Sequence, residues 1–420
     1  MNIKLGYGNS FQNVEIPQKN ILDILHANEL HHEHVGVDAI KHAIENPIGD
    51  DRLSTKIKKF NNKNLKICII TSDITRPMPS KIVLPIILEE LNNAGVKSEN
   101  ITIVFALGSH RHQTKNEMIS LVGEDIFNNY QCEDSTPEDV VSFGTTSNKT
   151  PIEISKNVAS SNFIICLGNV DFHYFAGYSG GAKALFPGCA SKKSIEHNHK
   201  FMLDEKSHPG NIIDNPIRND IEEVATLKNI DYILNVVLDE HKNIVYACAG
   251  NYIKAHRKCC EYIDKMYVKR LKGKADIVIV SQGGLPKDTN LYQLQKALDN
   301  ASYAVRDGGI IILVGKCQDG LGNETFEKYF LESKSSNEII DKIKNKFELG
   351  GHKAAAIAKV LKYASIYMVS SLDKNLVKKL YMTPFDNVQL AYDSAIEKLG
   401  KDSKVLIMPF GGSTFPVINL

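Results

Sequence analysis

The 420 residues leave room for two or three domains, and 43% hydrophobic content supplies an ordinary globular core and excludes a disordered chain. A formal charge of +1, with acids and bases interspersed, argues against a dedicated nucleic-acid binder or membrane-surface protein. The apolar runs are far too short to span a bilayer, MNIKLGYGNS lacks a basic start followed by an apolar stretch, and the eight cysteines show no CxxC spacing, so a reduced, cytoplasmic setting is expected.

Along the chain, a strand is predicted at Asn2–Tyr7, another near Val14–Ile16, and a helix near Val37–Glu45. His31, His32 and His34 occupy a polar turn without carboxylates or cysteines at ligand spacing, which reads as a solvated turn rather than a metal site. From Leu65 the pattern becomes β then α. Leu65–Thr71, Ile101–Ala106 and Phe163–Leu167 are apolar runs of the kind that form buried parallel strands. Helices are predicted over Pro79–Ala94 and up to Val122. Each of the three strands ends in a polar loop, and in open α/β sheets ligands bind at the carboxyl ends of strands, so these loops are expected to converge. Ile230–Leu238 and Asn243–Ala249, joined by Asp239-Glu240-His241-Lys242, read as a hairpin, and a helix is predicted from Ile253 to Leu271. Beyond it, Ala275–Ser281, Gly309–Gly315, Ala364–Val369 and Val405–Met408 read as strands of a second, mostly parallel sheet. The expected class is α/β: two domains, residues 1–267 and 268–420, with mostly parallel sheets and an active-site cleft between them.

The densest chemistry lies in DFHYFAGYSGGAKALFPGCASKKSIEHNHKF, residues 171–201. Glycines let a backbone approach a ligand closely, and a lysine in such a loop, here Lys183, can bond covalently to a cofactor or substrate. The segment is not a nucleotide-phosphate loop, because Ala182 and Ala184 stand where that pattern has glycine and Ser or Thr; nor does a GxGxxG follow any strand. Asp73-Ile74-Thr75-Arg76 reads either as a helix cap with an exposed arginine or as an anion grip between a strand and a helix start. His110 reads as structural or catalytic. His199 is a lone helical histidine; HExxH, paired cysteines and carboxylate clusters are all missing, so a metal on it would take its other ligands mainly from something other than protein. Gln293 and Lys296 are three apart and share one helix face.

Taken in order, SDITRP at 72–77, GSHR at 108–111, FH…GYSGGAK…PG at 172–188, His199 and YQLQK at 292–296 resemble the nickel-pincer-dependent lactate racemase family. The resemblance spans both expected domains. It implies a nickel-pincer nucleotide, nickel pyridinium-3-thioamide-5-thiocarboxylic acid mononucleotide, made by separate cofactor biosynthesis proteins. It places the covalent attachment at Lys183 and the protein ligand to nickel at His199, with Ser72, Asp73 and Thr75 holding the nucleotide part. His110 and His173 become the acid/base pair, and Arg76, Gln293 and Lys296 the groups that orient a small 2-hydroxy acid. The implied reaction is racemisation by reversible hydride transfer through a 2-keto acid. One departure stands out: lactate-specific members carry a Trp near the substrate, and this chain has none. The corresponding region is Gly351-His352-Lys353 and the helix after it. Rival readings are a racemase or epimerase for a larger 2-hydroxy acid, a non-catalytic cofactor-binding protein, and a zinc hydrolase, the last disfavoured by its sparse ligand set.

Overall fold

The computed structural model describes every residue except 61, 63, 240, 349, 419 and 420. Glu240 of the expected hairpin turn therefore lies outside the described residues. The chain divides into two compact units. One comprises Leu30–Lys265; the other joins Met1–Glu29 to Met266–Leu420. The expected boundary after residue 267 falls beside the second junction, but the first 29 residues do not belong with the segment that follows them. The reason is strand pairing. β1 (Asn2–Tyr7) and β2 (Ser10–Glu15) form an antiparallel ribbon, and β3 (Ile21–Ile24) adds in parallel to a strand near the C-terminus.

The Leu30–Lys265 unit is built on β4 (Ile67–Ser72), β5 (Ile101–Ala106), β6 (Gln131–Asp134), the hairpin β7 (Val140–Thr145) and β8 (Pro151–Ser155), β9 (Phe163–Asn169), the two-residue strands β10 (Phe172–His173) and β11 (Gly177–Tyr178), β12 (Tyr232–Leu238) and β13 (Ile244–Gly250). Six of them form one sheet in the order β13-β12-β9-β4-β5-β6, parallel except for the antiparallel edge β12–β13. Helices cover the sheet, so its central strands are apolar on both faces. Ile69, Ile103, Phe105, Ile165, Leu167 and Leu234 are fully buried in one cluster with Ile87 and Leu91 of the helix Ser80–Asn93.

The second unit contains β14 (Val268–Leu271), β15 (Ala275–Ser281), β16 (Val305–Val314), β17 (Ser365–Val369), β18 (Thr383–Phe385), β19 (Val405–Met408) and β20 (Phe415–Ile418). Its six-stranded sheet, β18-β17-β16-β15-β19-β3, is parallel throughout. The helix expected to run on to Leu271 stops at Tyr267, because Val268–Leu271 pairs with β20 instead. No helix among the described residues is long and apolar enough to cross a membrane. The His31–His34 turn engages neighbours rather than gathering ligands: His32 contacts the Tyr262 hydroxyl, and His34 pairs with Asp38 and stacks on His42.

Candidate active site

β4 and β5 run in register to their ends, where Ser72 faces Ala106, so the loops after them begin side by side. Ser72 is half-buried at the strand end. Asp73 follows and is 1% exposed. A carboxylate so placed must be hydrogen-bonded. Its Oδ1 accepts from Thr75 Oγ1 at 2.9 Å and its Oδ2 from His110 Nδ1 at 2.7 Å, while Thr75 Oγ1 lies 3.2 Å from the same ring nitrogen. A carboxylate only accepts, so the hydrogen sits on Nδ1, and Nε2 of His110 is the nitrogen that the carboxylate does not engage. Gln113 ties the two loops together: its Oε1 accepts from the Ile74 amide at 2.8 Å, and its own amide and Nε2 donate to Asp134 at 2.8 and 2.9 Å. Arg76 is exposed at the end of the first loop.

The third loop leaves β9. β10 and β11 fold it into a small hairpin in which His173 faces Gly177. The amide of Gly108 donates to the carbonyl of Gly188 at 2.8 Å and joins this loop to the one after β5. The His173 ring stacks on Tyr174 at 5.1 Å and meets the edge of Phe175 at 4.6 Å; Phe175 in turn packs edge-on against His199 at 4.8 Å. Phe175 thus stands between the two imidazoles. Burial, then the charges of Lys183, Arg76, His199 and Arg218, hold the His173 imidazole well below its ordinary range. His173 is therefore held in its neutral form.

Lys183 is delivered by a turn that only glycine fits. Gly180 and Gly181 have φ of +73° and +60°, and a Cβ on Gly181 would lie 2.9 Å from the His256 ring. The Gly181 amide donates to Asn235 Oδ1 at 2.9 Å, and His256 Nε2 donates to the Ser179 carbonyl at 2.8 Å. The Lys183 amine makes no hydrogen bond or ion pair among the described residues. Burial, then the nearby Arg218 and Arg76 charges, push it well below the usual lysine range. His199 ends the helix Lys192–His199, while His197 turns away to the Thr150 hydroxyl at 2.9 Å.

The structure therefore gathers Asp73, Thr75 and His110 by hydrogen bonds, and brings Arg76, His173, Lys183 and His199 into one electrostatic neighbourhood. Gln293 and Lys296 lie in the other unit, on the helix Leu291–Ser302. Sequence reasoning misses Asn235, His256 and Arg218. Asn235 leaves a faint trace, a single amide inside the apolar run YILNVVL; the other two act through backbone carbonyls far away in sequence.

Residues 7–210 match the family model described as the lactate racemase N-terminal domain, and residues 270–415 the lactate racemase C-terminal domain. The chain is 36% identical to a lactate racemase of Thermoanaerobacterium thermosaccharolyticum over 98% of both chains. It is 32% identical to one of Lactiplantibacillus plantarum over 89% of both. The solved structure of the T. thermosaccharolyticum lactate racemase apoprotein superposes with a TM-score of 0.90, covering both chains in full at 34% identity. A Thermotoga maritima protein at 19% identity shares the fold, with a TM-score of 0.61 over 89% of this chain and all of the other. At these identities, extending over nearly the whole of both partners, the chain belongs to the lactate racemase family.

Proposed function

We propose that the protein racemises a small 2-hydroxy acid, lactate first among them, using a nickel-pincer nucleotide attached to Lys183. The observation that carries the reading is the pairing of a lysine without a hydrogen-bond or ion-pair partner among the described residues, held well below its usual range, with two differently supported imidazoles on loops of one sheet end. The donor set suits such a group. Among the described residues no three His, Cys, Asp or Glu side chains are placed to hold a metal ion, so His199 fits a metal whose other donors come with an organic ligand. A Lys183 amine held below the usual lysine range suits covalent attachment, and on this reading Ser72, Asp73 and Thr75 hold the nucleotide part.

When bound, the nucleotide supplies a reversible hydride acceptor. The chain supplies the rest. His110 or His173 takes the proton of the substrate hydroxyl, giving a 2-keto acid, and the other returns a proton when hydride comes back to the opposite face. Arg76 and Lys296 hold the carboxylate, with Gln293 fixing its orientation. A racemase for a larger 2-hydroxy acid is the second reading, favoured by the absence of any tryptophan.

The test is protein co-produced with cofactor biosynthesis proteins and offered a panel of 2-deuterated 2-hydroxy acids. Enantiomer interconversion with lactate, together with a mass adduct on Lys183, is the expected result. Racemisation by protein free of nickel and of any adduct would overturn the reading; turnover of bulkier acids alone would select the second.

A further inference from the structure

Arg218 is the largest fully buried side chain among the described residues, and no part of the proposed reaction uses it. It sits in the first turn of the helix Pro216–Leu227, whose cap, Asn215, accepts from the Ile217 and Arg218 amides and donates to the Phe175 carbonyl at 2.8 Å. Its Nε and Nη2 donate to the carbonyl of Ala176, both at 3.2 Å, and Nη2 also to that of Tyr178. These carbonyls flank Gly177, which faces His173 across the β10–β11 hairpin. The guanidinium thus grips the backbone between His173 and Lys183. Its Nη1 is buried with no hydrogen-bond partner, and Glu222 acts on the guanidinium only through space. Glu222, one turn on, is occupied by Arg257 at 2.8 Å.

An arginine buried without a direct ion pair is costly, even with Glu222 acting on it through space, and such costs persist where the charge has work to do. Burial lowers even its own affinity for a proton, to a pKa of about 10. Every charged group that acts on Lys183 is basic: Arg218 from its helix and Arg76 from the loop after β4. His173 on β10 and His256 on the helix Lys254–Tyr267 feel the Lys183 charge in turn and are also bases.

We propose that Arg218 is a positioning residue that readies Lys183 for covalent capture, by clamping the hairpin beside the glycine turn and by setting a fixed positive charge, with no ion pair of its own, near the Lys183 amine. The inference rests on the reading of Lys183 as the attachment residue, but its test needs no cofactor. Protein made without the cofactor biosynthesis proteins is labelled with trace acetic anhydride from pH 6 to 11. The neutral amine attacks one carbonyl carbon, acetate leaves, and the amine proton passes to water. Acetylation of Lys183 is followed by peptide mass spectrometry, with exposed Lys192 as internal reference. In the native protein Lys183 labels with a midpoint well below that of Lys192. Arg218→Met should raise that midpoint, lowering Lys183 labelling at pH 7 about tenfold relative to its plateau, a shift of roughly one pH unit. Arg218→Lys, which keeps the charge, should retain the native midpoint. Should Arg218→Met fail to fold, Arg218→Gln, neutral but still a donor, should show the same rise. A native midpoint in the folded neutral variant overturns the inference. The separate reading of Lys183 fails on a different measurement, the absence of a Lys183 adduct in native protein co-produced with the biosynthesis proteins.

Discussion

His110 leans on a buried carboxylate, whereas His173 is surrounded by cations and aromatic edges. That difference suits two bases serving opposite faces of one substrate. A catalyst cannot shift an equilibrium between enantiomers, so replacing either histidine must slow net racemisation in both directions. The asymmetry belongs to the half-reaction. His110→Ala should impair hydride transfer from one enantiomer by about a hundredfold to ten-thousandfold, and His173→Ala should show the opposite bias. Single-turnover reduction of the loaded enzyme with each pure enantiomer measures this; if both variants slow the same enantiomer and spare the other, the two-base assignment is wrong. Lys183 and His199 separate in the same way. Lys183→Ala should abolish the mass adduct, while His199→Ala should keep the adduct and lose nickel, as read by intact-mass spectrometry and metal analysis of one preparation.

The glycine turn is the element on which the site depends, and its support comes from Asn235 on β12 and His256 on the helix Lys254–Tyr267. Gly181→Ala meets two obstacles at once, a positive φ and a ring 2.9 Å from the new Cβ. It should destabilise by more than about 1 kcal/mol and reduce adduct formation, a pairing that denaturant titration and intact mass would show. Gly144→Ala, with a similar φ but open space, should cost stability without touching the adduct. What was readable in the sequence follows the same division between local and distant causes. Ile101–Ala106, Ala275–Ser281 and Val405–Met408 are strands with the bounds their apolar runs suggest, because burial on both faces writes itself as a continuous stretch. Val268–Leu271 reads as helix from sequence because its strand partner, Phe415–Ile418, lies at the far end of the chain. The strand Val140–Thr145 is largely exposed and leaves no alternation to find, and its partner Pro151–Ser155 alternates over only five residues. Among site residues, Lys183 and the histidines announce themselves by reactive chemistry in loops. Asn235, His256 and Arg218 do their work on backbone atoms, which no motif records.

At the scale of the whole molecule, each unit holds a buried neutral histidine. His256 donates from Nε2 and accepts from Arg257 on Nδ1 at 3.0 Å, and burial with the neighbouring arginines keeps it well below its usual range. His352 accepts from the Gly350 amide at 3.0 Å and is pushed down to about 3 by burial and by Lys353. The unfolded chain takes up these protons near pH 6.5, and the folded chain does not. Stability should therefore be level above that pH and fall as the solution is acidified, by about 1.4 kcal/mol per pH unit for each histidine. Urea titrations at pH 7 and 5.5 would show the loss. A His352→Gln variant should make the fall shallower by about 1.4 kcal/mol per pH unit, leaving the share of His256; an unchanged slope would mean that His352 is protonated in the fold.

The placement of β3 beside β19 has a consequence for biosynthesis. Residues 30–265 are threaded into the middle of the other unit's sequence, so the ribosome releases a guest before its host is complete. At about 5–20 residues per second, the N-terminal ribbon and β3 wait roughly 7 to 30 s after the guest emerges before Val405–Met408 is made. During that interval the guest can close on its own sheet, already carrying His110, His173, Lys183 and His199, while Gln293 and Lys296 belong to a helix of the unit still being built. Nascent chains stalled after residue 300 should then resist protease across 30–265 and be cut readily within the first 29 residues.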